Sequence, residues 1–211
     1  FVLGASTGIG YPYLKNGSFH RWLQYAMNET FPEDKIEIIN LSLTAINSYT
    51  LRDFGKELGN YNPDAVLIYA GHNEYYGALG VGAVNSLGGY PSLVNFALQL
   101  RQYRLVQLIS NGIGKVQALF KAEKQEEETL MKKMVAEQSI AFNSETYKDG
   151  IDQFRYNFEK LLTDLDSNDI PVFLSTIASN EKDIQPFISD STSAENSAAQ
   201  YFQKAQKAYS E

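Results

Sequence analysis

A serine stands where chemistry is easiest to build. Phe1-Val-Leu-Gly-Ala-Ser-Thr is a short apolar run closing in a small-residue turn, so a buried strand would deliver the Ser6 hydroxyl to the carboxyl edge of a sheet. Two later segments share that design. The apolar run 36–41 leads into Ser42-Leu-Thr-Ala-Ile-Asn47, and 65–70 leads into Gly71-His-Asn-Glu74. Three strand ends thus offer three polar loops at one edge. A hydroxyl in such a place becomes a nucleophile once a neighbouring base takes its proton. Taken singly, each residue also fits a turn: serine caps, and Asn73 could close an Asx-turn.

The trio, in order, resembles the SGNH/GDSL hydrolases, serine esterases and lipases on a flavodoxin-like sheet. The resemblance implies an α/β fold, a three-layer α/β/α sandwich with a mainly parallel sheet, and Ser6 as nucleophile. Asn40-Leu-Ser-Leu-Thr-Ala45 aligns with the second family block and puts Ala45 where the family has a glycine whose backbone N–H faces the oxyanion. Only a main-chain donor is needed there. Gly71-His72-Asn73-Glu74 stands for Gly-x-Asn-Asp, so Asn73 would give its side-chain amide to the oxyanion while Glu74 replaces the aspartate. The likeness covers roughly 1–80 and, more loosely, 148–190. It implies hydrolysis of an O-ester, an acyl or acetyl ester of a lipid or carbohydrate, with no metal or organic cofactor.

The fourth family element, Asp-x-x-His, does not occur; the histidines are His20 and His72. Neighbouring residues at a strand end point to opposite sides, so a His72 beside an inward Asn73 would face away. The base is therefore expected beyond Glu211 in a longer parent, since the sequence also begins inside its first strand. A rival of another class is a non-catalytic binding or scaffold protein on a relict hydrolase fold. A second rival is a short-chain dehydrogenase. Gly4-Ala-Ser-Thr-Gly-Ile-Gly10 resembles its nucleotide turn and Tyr156-Asn-Phe-Glu-Lys160 its Tyr-x-x-x-Lys. A dinucleotide turn, however, opens directly into a helix, whereas Tyr11-Pro12-Tyr13 and Asn16-Gly17 delay it by about eight residues.

The positioning elements follow from periodicity. Helices are predicted over about 18–30, with Ser18 at its start, over 48–58 stopped by Gly59, and over 148–166 from Ile151, Phe154, Phe158, Leu161, Leu162 and Leu165. A fourth strand is read at 170–176. Glycine and small residues over 77–89 read as a loop over the site. A helical insertion over about 90–145 follows, with a solvated charge run at 121–133. Residues 1–190 are expected to form the hydrolase-like domain, its last strand missing. Residues 191–211 are expected to begin a helical extension that resembles a tetratricopeptide-type repeat, a surface for a protein partner.

A net charge of −7 over 211 residues argues against nucleic acid or an anionic membrane as main partner, and no cysteine is present for disulfide, thiol or thiolate-metal chemistry. The sequence shows no apolar run of about 18 residues and no signal peptide. Compartment is not legible, and an extracytoplasmic bacterial site is compatible with these features.

Overall fold

The computed structural model describes residues 1–13, 17–82, 90–120, 140–179 and 197–210. Its centre is a parallel sheet of β1 (Val2–Gly4), β2 (Val66–Tyr69) and β3 (Val172–Leu174), in that order. The register pairs Val2 with Leu67, Gly4 with Tyr69, and Leu67 with Phe173. The predicted strand at 36–41 takes the free edge of β1 as an extended segment. Val2 N donates to Ile39 O, Leu41 N to Val2 O and Leu43 N to Gly4 O, at 2.8, 2.9 and 3.3 Å. Parallel pairing needs crossover connections, which the intervening helices supply.

Alternation along the strands sorts the two faces. Leu3, Ala5, Val66 and Ile68 join the main core with Leu51 and Leu58 of α3 (Ser48–Leu58) and with Phe158, Leu161 and Leu165 of a later helix over Glu145–Asp166. Close approach of those two helices depends on Gly55, where a Cβ would run into Leu161 Cδ1. The opposite face carries Tyr69, whose ring meets the edge of Phe19 at 6.0 Å. Phe19 opens α2 (Phe19–Thr30), which buries none of its residues fully and leaves Trp22 68% exposed. Gln24 ties α2 to the edge segment by donating to Ile36 O at 2.7 Å and accepting from Ile38 N at 2.7 Å.

Between β1 and α2 lies a single helical turn, α1 (Ser6–Ile9), closed by Gly10 at φ +86°. Between β2 and the long helix come α4 (Pro91–Leu100) and α5 (Arg104–Phe120); Glu145–Asp166 is then α6, and Ala198–Ser210 is α7. The architecture is thus α/β with a small parallel sheet. Two expectations shift in detail. Ser18 does not cap α2 through its side chain; its hydroxyl donates instead to Gly8 O at 3.2 Å. α6 starts at Glu145 because Ser144 caps it, accepting from Tyr147 N at 3.1 Å. The charge run at 121–133, most of the loop predicted at 77–89 and residues 180–196 lie outside the described residues.

Candidate functional site

Close approach between the three strand ends builds the site. A Cβ at Gly4 would lie 2.8 Å from Tyr69 O and 3.0 Å from Ser42 Oγ, and one at Gly8 would strike Ser42 Oγ. The turn after β1 therefore presses against the ends of both neighbouring strands, and only glycine permits it. Ser6, half-buried, is the first residue of α1 and follows the extended Ala5. Among the described residues its hydroxyl has no hydrogen-bond partner, and neither the Ser6 nor the Ala45 N–H donates to a protein acceptor.

Ala45 is buried and holds φ +60°, the left-handed region that favours glycine. Its carbonyl accepts from Ala78 N at 3.1 Å. One residue on, Ile46 O accepts from Asn73 Nδ2 at 3.1 Å. The loop after β2 is thereby stitched twice to the loop that bears Ala45. A side-chain amide has two N–H groups, so the bond to Ile46 O leaves one of Asn73's for another acceptor. Asn73 itself is buried, whereas its neighbour His72 is exposed and meets Tyr69 edge-on, with ring centroids 5.1 Å apart.

Glu74 proves more engaged than its place beside Asn73 suggests. Its carboxylate is buried and accepts from Ser48 N at 3.0 Å, Ser48 Oγ at 2.6 Å and Gln153 Nε2 at 2.6 Å. It caps the first turn of α3, joining Asn47, whose side chain accepts from Tyr49 N at 3.3 Å. The network runs on: Asn157 Nδ2 donates to Ser48 Oγ and Asn95 Nδ2 to Asn157 Oδ1, both at 2.9 Å. Burial pushes the Glu74 carboxyl above its ordinary range, and the bonds from Ser48 and Gln153 oppose that only in part. A sequence signal for this seam exists. Gln153 and Asn157 stand four apart on the side of α6 that otherwise turns Phe158, Leu161 and Leu165 inward.

Among the described residues, neither histidine hydrogen-bonds Ser6. His20 Nδ1 meets Asn40 Nδ2 at 2.8 Å and also contacts Ser18 Oγ, while Asn40 Nδ2 reaches Gly8 O at 3.0 Å. Burial, then the Arg21 charge, lowers the His20 pKa; burial lowers that of His72. The dehydrogenase-like residues are also engaged otherwise. A helical turn does begin at once, at Ser6 rather than after a delay, but Gly10 ends it after four residues. The Tyr156 ring lies under Arg52, 5.6 Å from the guanidinium carbon, and Lys160 is exposed. No three His, Cys, Asp or Glu side chains gather as a metal site among the described residues.

Set against protein-family models, curated proteins and solved structures, the chain gave no match.

Proposed function

We propose that the chain carries the acyl-transfer half of a serine ester hydrolase of SGNH type, on a flavodoxin-like three-layer sandwich. As the base takes its proton, Ser6 Oγ attacks the ester carbonyl, and the N–H groups of Ser6 and Ala45, with the remaining Asn73 N–H, receive the tetrahedral oxyanion. Its collapse breaks the ester C–O bond, the alcohol leaves with that proton, and water then frees the acid from Ser6. Such donors matter only in the transition state, where each is worth about 3 to 4 kcal/mol. The observation that carries the reading is the backbone at Ala45. At the position where the resemblance expects glycine, the chain adopts the left-handed conformation glycine favours, at φ +60°, and holds it next to the carbonyl that anchors Asn73. The order of segments across the sheet, 36–43 then β1, β2 and β3, supports the flavodoxin-like arrangement.

The base comes from outside these residues, because His20 is occupied by Asn40 and His72 is turned to solvent. The substrate is a small acyl or acetyl ester of a lipid or carbohydrate. Free imidazole can stand in for the missing base. With p-nitrophenyl acetate, imidazole should accelerate hydrolysis by the unaltered chain beyond what it does for Ser6→Ala, and a fluorophosphonate, with imidazole present, should label the unaltered chain alone. The absence of both differences would favour the second reading, a binding or scaffold protein on a relict hydrolase fold. The observation on that side is that, among the described residues, neither histidine hydrogen-bonds Ser6.

A further inference from the structure

α4 is fixed to the domain by one side and apolar on the other. Val94 and Asn95 are buried against α6, where Asn95 bonds Asn157. At 100° per residue, Leu93, Phe96 and Leu100 cluster on the opposite side. They are 56%, 57% and 36% exposed. Beyond it, Leu105, Leu108 and Ile109 form a single strip on α5 and are 67%, 69% and 54% exposed. A surface helix of a water-facing domain ordinarily turns polar side chains outward. Here each helix shows water an apolar strip at helical spacing.

Charge in the sequence is segregated around these helices. No Asp or Glu occurs between Glu74 and Glu123, so all 25 acidic residues lie outside that stretch, whereas Arg101, Arg104, Lys115 and Lys121 lie within it. The overall −7 conceals a cationic segment in an acidic chain. Arg101 and Arg104 are both exposed, between the two apolar strips.

We propose that α4 and the start of α5 dock on the surface of an anionic lipid bilayer, with Leu93, Phe96, Leu105 and Leu108 entering the acyl boundary and Arg101 and Arg104 meeting the headgroups. Apolar side chains on one face with flanking cations are what an interfacial helix needs. No helix among the described residues is long and apolar enough to cross a membrane, so the geometry is one of lying on the surface. A two-fold pairing with a second copy would cover the same apolar residues, but it would set Arg101 and Arg104 near their own counterparts. The acidic remainder of the chain would be repelled by the same lipids, which orients the domain.

The test is flotation of the unaltered chain with phosphatidylcholine vesicles, and with vesicles containing about a third phosphatidylglycerol, at low and high salt. Binding should favour the anionic vesicles and weaken with salt. Leu105→Asp with Leu108→Asp should reduce it at least tenfold, and Arg101→Glu with Arg104→Glu should remove the anionic preference, each cation counting for about fivefold. These side chains are exposed, so the circular dichroism spectrum should stay unchanged. No flotation with either vesicle, equal binding to both, or undiminished binding by the folded variants would overturn the proposal. So would a dimer that the same substitutions dissociate while vesicles leave it intact.

Discussion

Two polar clusters flank the strand ends, and they are built to different standards. On the α3–α6 side, Glu74, Ser48, Gln153, Asn157 and Asn95 are all buried and bonded to one another. On the α2 side, His20, Asn40, Ser18 and Ser42 meet around Gly8, with His20 and Asn40 half-buried and the Ser42 hydroxyl buried without a partner among the described residues. The first cluster is continuous with the main apolar core, whereas the second sits under a helix that buries nothing completely. The loop bearing Asn73 is held by the tight cluster, and the turn bearing Ser6 by the loose one.

The largest effect should come from the core behind the tight side. Phe158 is buried and stacks on Phe154 at 4.4 Å, so Phe158→Ala should cost about 3 to 5 kcal/mol in urea unfolding. Trp22→Ala should change stability by less than about 0.5 kcal/mol, as exposed substitutions do. Equal costs would erase the contrast between the two sides.

Next is Glu74→Gln, which leaves an N–H facing donors from Ser48 or Gln153 and should cost about 1 to 3 kcal/mol in mildly acid solution. The carboxyl is raised above its ordinary 4.5, so the folded chain holds that proton more tightly than the unfolded one. Its contribution is complete below 4.5 and is lost as pH rises through the folded value. The deficit of the variant should therefore narrow toward neutral pH. A deficit that widens instead would mean the carboxylate is stabilised in place.

Smaller, and of opposite sign, is Ser42→Ala. Removing a buried hydroxyl without a partner should be neutral or stabilise by up to about 1 kcal/mol. A loss larger than that would show the α2 side to be as well bonded as the other. Smallest is Ala45→Gly. Relief of left-handed strain and the greater freedom of an unfolded glycine nearly cancel, leaving stability within about 1 kcal/mol. Imidazole-assisted hydrolysis should stay within a few-fold, whereas Asn73→Ala should lower it by about a hundredfold.

Periodicity carried much of the fold. The core side of α6 was legible from Phe158, Leu161 and Leu165, and α3 ends at Leu58 beside Gly59 as the sequence reading placed it. Local signals were weaker at boundaries. Ser144 lies before the apolar repeat, where no periodic residue marks it as a cap, and β3 is only three residues long although Ser175 N still reaches Ile68 O. The positions of Ser6, Ala45 and Asn73 at strand ends could be read from sequence, but not the φ of Ala45. Nor could the partners of Glu74, which lie 26 and 79 residues away and leave no short-range pattern.

That separation has a consequence in time. A ribosome releases α3 before β2, and β2 long before α6. Until residue 74 has emerged and β2 has paired with β1, the amino end of α3 has only Asn47 to hold it, by a single 3.3 Å bond. Its first turn should stay frayed on the nascent chain until Glu74 reaches Ser48, and tighten again when α6 brings Gln153 and Asn157. A pause that leaves α3 outside the ribosome and residue 74 still inside it would then leave α3 open to a protease at its first turn, and resumed synthesis would seal it.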